Sequence, residues 1–207
     1  MFARSTSVIS GAVEGTVDEA VLRCLLAHVG AQPASIYGKN GKTPLRRQIR
    51  GYNEAARRSP WVVLIDLDHD AVCAPELRTS WLPDPAPLMC FRIAVREVEA
   101  WLLADRERLA RFLGIAVSRV PRNPEILEDP KRALVDLAAG SRKSAIREDI
   151  MPRPGSGRPV GPAYTSRIIE FVNDPRSGWR PDVAAQSADS LRRCLRCIRR
   201  LLNQSEQ

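Results

Sequence analysis

Apolar residues along the first hundred positions fall into two spacings, short unbroken runs and helical repeats of three and four. Ser7 to Val13 reads as a short apolar strand. Val17, Val21, Leu22, Leu25, Leu26 and Val29 then recur at helical spacing, which predicts an amphipathic helix over 17–29. A weaker strand, Ala34 to Tyr37, leads into the loop Gly38-Lys39-Asn40-Gly41-Lys42, and Leu45 to Arg57 reads as a basic helix. Val62, Val63, Leu64 and Ile65 show no polar alternation, the pattern of a parallel strand covered on both faces. Leu88 to Val95 makes a fourth strand. This β-α-β-α-β order predicts an α/β fold, a mainly parallel sheet with right-handed crossovers flanked by helices.

Beyond the fourth strand the pattern turns helical. Arg96 to Ala104 and Arg106 to Leu113 read as two helices broken near Asp105. A proline-marked connection, Pro121 to Pro130, precedes a helix over Lys131 to Ala139. The stretch "MPRPGSGRPVGP", 151–162, is rich in Pro, Gly and Arg and reads as a mobile basic loop. Helices over Pro162 to Val172 and Ala188 to Leu202 follow. The expected organisation is an α/β core over 1–105 and a helical extension over 106–207 packed on it.

Charge adds a partner class to this picture. Among 207 residues, 32 Lys and Arg stand against 24 Asp and Glu, a net charge of +8, and the sequence pI is about 9.8. Such a surface favours polyanions, nucleic acid above all, although a solvated basic face has the same composition. No apolar run approaches the roughly 20 residues of a membrane span. The N-terminus runs directly into a strand, so no signal peptide is expected. Five cysteines without framework spacing point to a reducing cytoplasm.

The chemistry concentrates where the buried strand ends. "VVLIDLDHDA", 62–71, closes on Asp66, Asp68 and Asp70 at alternate positions. Unpaired carboxylates are costly inside a sheet, whereas the carboxyl ends of parallel strands are where open α/β folds hold ligands. Glu14 stands just past the first strand, followed by Gly15, which permits a sharp exit, and Asp18 lies one helical turn further. Parallel strands bring Glu14, Asp66 and Asp68 to one edge, and strand alternation puts Asp66 and Asp68 on one side. Gathered carboxylates repel unless a cation lies among them, and hard oxygen donors suit Mg²⁺ or Mn²⁺. A first-turn helix acid and a capped turn are the plainer explanation for the same residues.

Glu14-Gly15 after a first strand, followed by Asp-x-Asp after a later one, resembles the TOPRIM fold of topoisomerases, primases and related nucleases. The spacing of Glu14 and Asp18 is similar to the overcoming-lysogenization-defect nucleases. "REVEAWLLAD" and the later "DPK" resemble a little-characterised bacterial TOPRIM-like family, which would cover nearly the whole chain. The resemblance implies Glu14 as metal ligand or general acid/base, Asp66 and Asp68 as ligands, and Asp18 at a second metal position. Two metals so held would stabilise the attacking and leaving oxygens of a phosphodiester displacement. An ATPase partner and a place in phage defence come with the same resemblance. Asp70 lies outside the motif, though it is a further candidate ligand.

Glu99, opening a helix after the fourth strand, is the next catalytic candidate, with Glu97 a weaker competitor and an exposed helix acid the alternative. Lys39 and Lys42 in their glycine loop are candidate phosphate contacts. Arg142, Lys143, Arg147, Arg153 and Arg158 cluster around the 151–162 loop, where they would grip nucleic acid. Lys131 and Lys143 are candidate stabilisers of transition-state charge. His69, between two acids, is a weaker substrate contact, and Cys194-x-x-Cys197 is half a zinc site with no second pair. The function these residues point to is a metal-dependent nuclease. Two rivals stay open: a haloacid-dehalogenase-like phosphatase with Asp66 as nucleophile and Asp68 as acid/base, and a non-catalytic subunit binding nucleic acid or a partner.

Overall fold

A computed structural model describes residues 7–205. The chain divides into two compact units, one formed by the chain up to Ala94 together with Arg192 onward, the other by Val95–Leu191. The first unit holds four strands, β1 (Val8–Val13), β2 (Gln32–Gly38), β3 (Trp61–Asp66) and β4 (Met89–Ala94). They form one sheet in the order β2-β1-β3-β4, and every pairing is parallel. Helices α1 (Thr16–His28), α2 (Lys42–Ala55) and α3 (Ala74–Trp81) make the crossovers. The fold is therefore α/β with an all-parallel sheet, as the alternation of elements predicts.

The chain leaves β1 toward β2, then returns past β1 to lay down β3 on its other side. Right-handed crossovers in opposite directions place α1 on one face and α2 and α3 on the other. Side-chain stacking agrees with that assignment. Tyr52 of α2 stacks on Trp61 of β3, Trp81 of α3 on Phe91 of β4, and the Arg46 guanidinium of α2 lies 5.5 Å from the Trp81 ring. All six residues of β3 are buried, which is why its sequence lacks alternation.

Helix α3 is not foreshadowed by the pattern. It carries only Leu77 and Trp81 as buried residues, one turn apart, and opens on Pro75, which suits a first helical turn. The division between units also falls at Ala94 rather than at residue 105. Helix α4 (Val98–Ala104) is buried at every position and packs against α6 (Pro130–Ala139) and α9 (Pro181–Ala184), so it belongs to the helical unit. The long C-terminal helix α10 (Asp189–Ser205) counts with the sheet from Arg192 on, with Cys194, Leu195, Ile198 and Leu201 buried.

The second unit is built around α4. Trp101, fully buried, donates through Nε1 to Ser190 Oγ (2.7 Å), and Trp179 Nε1 donates to the Trp101 carbonyl (3.0 Å). Asp105, also fully buried, ends α4 and caps α5 (Arg106–Leu113). Its carboxylate accepts from the backbone N–H of Arg180 and from both forks of the Arg180 guanidinium (3.0, 2.9 and 2.7 Å). Helices α7 (Ser144–Ile150) and α8 (Tyr164–Asn173) complete the unit, with 151–162 as the irregular connection between them. Among the described residues no helix is long and apolar enough to cross a membrane.

Candidate functional site

Glu14 is the first residue past β1, and its Oε1 accepts the backbone N–H of Asp66 at the end of β3 (2.9 Å). One carboxylate thus ties the carboxyl ends of two adjacent parallel strands. This is the point where the chain reverses its direction of strand addition, the crevice in which open α/β sheets bind ligands. Gly15 has an extended backbone (φ −139°) that any residue adopts. Its glycine identity answers to space instead, because a Cβ there would lie 2.8 Å from Asp18 Oδ2. Asp18 is buried in the first turn of α1, where the helix dipole favours an acid, and its charge acts on Glu14.

Strand alternation does not extend to Asp68. Strand β3 stops at Asp66; Leu67 is buried and its N–H bonds the Ala94 carbonyl. Asp68 then takes a left-handed backbone (φ +48°), tolerable for a short polar side chain, and Asp70 N–H closes the turn onto the Leu67 carbonyl (3.2 Å). The turn, rather than the pleat, aims these two acids. Both reach Lys42.

Lys42 is not a loop residue but the first residue of α2. Its ammonium donates to Asp68 Oδ2 and to Asp70 Oδ2 (2.7 Å) and lies 3.8 Å from Glu14 Oε1. The loop before it is pinned to the Glu14 turn, since Lys39 N–H bonds the Val13 carbonyl and Gly41 N–H the Glu14 carbonyl. Gly38 (φ +91°) lies so close to β1 that a Cβ would meet the Val13 carbonyl oxygen at 2.1 Å. Burial works against the charge on Lys42, yet its bonds to Asp68 and Asp70, with the charge of Glu14, hold its pKa above the usual lysine value. For Glu14, burial dominates and pushes the carboxyl up to about 7, against the pull of Lys42 and the Asp66 N–H.

Beside this cluster opens a cleft of about 410 Å³ lined by Lys42, Thr43, Arg46, Asp70, Ser80 and Trp81, with Leu77 in its wall. Arg46, Thr43, Ser80 and Trp81 are not singled out by the sequence. They come from α2 and α3, whose juxtaposition follows from the crossovers. The only hint in the chain is an arginine at the start of a basic helix.

The remaining predicted residues have varied surroundings. Lys39 pairs with Glu19 of α1 (3.0 Å), and His69 is exposed. Lys143 Nζ donates to the Arg111 and Phe112 carbonyls (3.1 and 2.9 Å), satisfying the end of α5, a structural task. Arg142, Arg153 and Arg158 are exposed. In the second unit "REVEAWLLAD" and "DPK" meet. Glu97 accepts Lys131 N–H and Nζ (both 2.9 Å), and Glu99 accepts the Tyr164 hydroxyl (2.9 Å) with Lys131 Nζ 3.6 Å away. Glu99 is 2% exposed, so it is not an exposed helix acid. Burial, then the Glu99 charge, raises the Tyr164 pKa well above the usual tyrosine value.

Cys194 and Cys197 acquire a third thiol, Cys90 of β4, which hydrogen-bonds Cys197. Among the described residues no group of three or more His, Cys, Asp or Glu side chains is placed to hold a metal ion. For the acids at the sheet edge the donor chemistry suits a hard cation, and a cation does lie among them, the Lys42 ammonium. No protein-family model matches this chain, and no curated protein or solved structure matches it either.

Proposed function

We propose that this protein is a divalent-metal-dependent phosphodiesterase acting on nucleic acid, a nuclease with a TOPRIM-like site. The observation that carries the reading is the meeting of Glu14, Asp68 and the end of β3 around a cation at the sheet's switch point. Asp66, Asp68 and Asp18 would hold Mg²⁺ or Mn²⁺ with Glu14, and Asp70 stands at the rim. The metal would supply charge stabilisation for the oxygens entering and leaving phosphorus. Burial holds the Glu14 carboxyl up at about 7 with no metal present, and a dication bound beside it would ionise it as a ligand. The cleft offers Lys42, Arg46, Thr43 and Ser80 to a phosphate, and the Trp81 face to a base. The net charge of +8 favours a polyanionic substrate. A cytoplasmic location and work beside an ATPase in phage defence belong to this reading through the family resemblance alone.

The test is cleavage of plasmid, linear DNA and RNA in Mg²⁺, Mn²⁺ or EDTA, by the native chain and by Asp66→Ala and Asp68→Asn. The expected outcome is metal-dependent cleavage lost in both variants, with no covalent enzyme species. Hydrolysis of a phosphomonoester with a phosphate trapped on Asp66 would identify an aspartate-nucleophile phosphatase and overturn the nuclease reading.

A further inference from the structure

Helix α10 carries Arg192, Arg193, Arg196, Arg199 and Arg200, and all five are exposed. At about 100° per residue they fall within an arc of about 120°. Cys194, Leu195, Ile198 and Leu201, on the opposite side, are buried. No Asp, Glu or Lys stands between Ser190 and Ser205. Arg196 follows Arg192 by four positions and precedes Arg200 by four, the spacing at which like charges on a helix repel. A helix face that meets only water gains by interspersing acids, and this one has none. Among the described residues Arg196, Arg199 and Arg200 meet no carboxylate. The basic field also extends past the helix. The Cys90 hydrogen bond first, then the charges of Arg92 of β4, Arg200 and the exposed Arg78 of α3, bring the Cys197 thiol down to about 7 against burial. Arginines from three elements thus act at one place on α10.

We propose that the arginine face of α10 is a docking surface for the phosphodiester backbone of a nucleic-acid duplex. From Arg192 to Arg200 the helix rises about 12 Å, the span of about three to four phosphates along one strand. Guanidinium forks pair with phosphate oxygens two bonds at a time, and the face uses arginine throughout, without lysine. Helix α10 has no aromatic residue on which an unpaired base could stack, so the contact is to the backbone and independent of sequence. An anionic membrane fits the face less well, because Leu195, Ile198 and Leu201 are buried in the fold and are not offered to a bilayer. The surface uses none of the acids at the ends of β1 and β3 and needs no metal. It shares with the nuclease reading only the class of partner.

The test is fluorescence anisotropy of a short DNA duplex with the full chain in EDTA, where binding is read without cleavage, between about 50 and 200 mM salt. Arg196→Gln with Arg199→Gln and Arg200→Gln should weaken binding by about tenfold or more at low salt and reduce the salt slope by about 2 to 3. Arg122→Gln with Arg132→Gln and Arg176→Gln removes the same charge from exposed positions of the second unit. That variant should lose less than about threefold. Equal losses in the two variants would reduce the α10 face to a share of the net charge and overturn the proposal. Tighter binding of a single strand than of the duplex would overturn it too, as would binding of phosphatidylserine vesicles without binding of the duplex. Should the α10 variant not fold, phenylglyoxal modification of the native chain decides. The duplex is expected to protect Arg196, Arg199 and Arg200, and unchanged modification contradicts the docking. A chain that binds the duplex through α10 and cleaves nothing in Mg²⁺ or Mn²⁺ would support the docking and overturn the nuclease reading alone.

Discussion

Each unit of the molecule holds a lysine among acids, and the two clusters are built in opposite senses. At the sheet edge Lys42 is the covered partner, and Asp68 and Asp70 face water. In the helical unit Glu97 and Glu99 are the covered partners at 15% and 2% exposure, and Lys131 stands at 37%. A buried charge depends on its partner, since its solvation is already lost, whereas an exposed one exchanges a partner for water at little cost. In the first cluster the lysine is therefore the charge that depends most on its partners. The second holds Glu99 through Tyr164, with Lys131 as its more exposed cation.

This contrast is sharpest for Asp105, the most buried acid of the helical unit. Asp105→Ala removes the partner of the Arg180 fork and of the α5 cap, and should cost about 3–5 kcal/mol in urea unfolding. A cost below about 1 kcal/mol would mean that buried acids here are as dispensable as exposed ones. Next in size is Tyr164→Phe, which deprives Glu99 of its donor. It should lower stability by about 1–3 kcal/mol while leaving the far-ultraviolet spectrum unchanged.

Glu14 lies between the two extremes, and its effect depends on pH. The unfolded chain sheds this proton near 4.5, while the folded chain keeps it until about 7. Ionisation therefore opposes folding increasingly from pH 4.5 to 7, and the penalty stays at full size above pH 7. In EDTA, Glu14→Gln should gain about 1–2 kcal/mol over the native chain at pH 8, allowing for water at the site's edge, and nothing at pH 4. A gain of equal size at both pH values would assign it to packing instead of charge. Smallest of all, Asp70→Asn in EDTA should change stability by no more than about 0.5 kcal/mol, the usual range for an exposed pair.

How far the sequence reaches follows the same division. The sheet was legible because β3 needs apolar residues on both faces, and an unbroken run such as Val62 to Ile65 has few other uses. Glu14 and Asp66 were legible together because parallel strands fix which ends coincide. Asp68 reached the site by a different route than alternation suggests, since a left-handed turn leaves no periodic trace. Lys42 could be placed near a phosphate but not among the acids. Its partners lie 26 and 28 positions away, and only the return of α2 along the sheet brings them together. The burial of Asp105 was hidden for the same reason, because Arg180 lies 75 positions further on and reads locally as one basic residue among many. Long-range ion pairs of this kind depend on packing, which hydrophobic spacing does not encode.

Whether the acids at the end of β1 and β3 are one cation site is open to direct observation. Crystals grown without metal, soaked in Mn²⁺ and measured at an energy where manganese scatters anomalously, would locate the ion. The expected result is a peak between the carboxyl ends of β1 and β3, about 2.1 Å from oxygens of Glu14 and Asp68. A map with no peak there, at a Mn²⁺ concentration that saturates binding in solution, would contradict the metal site and the nuclease built on it.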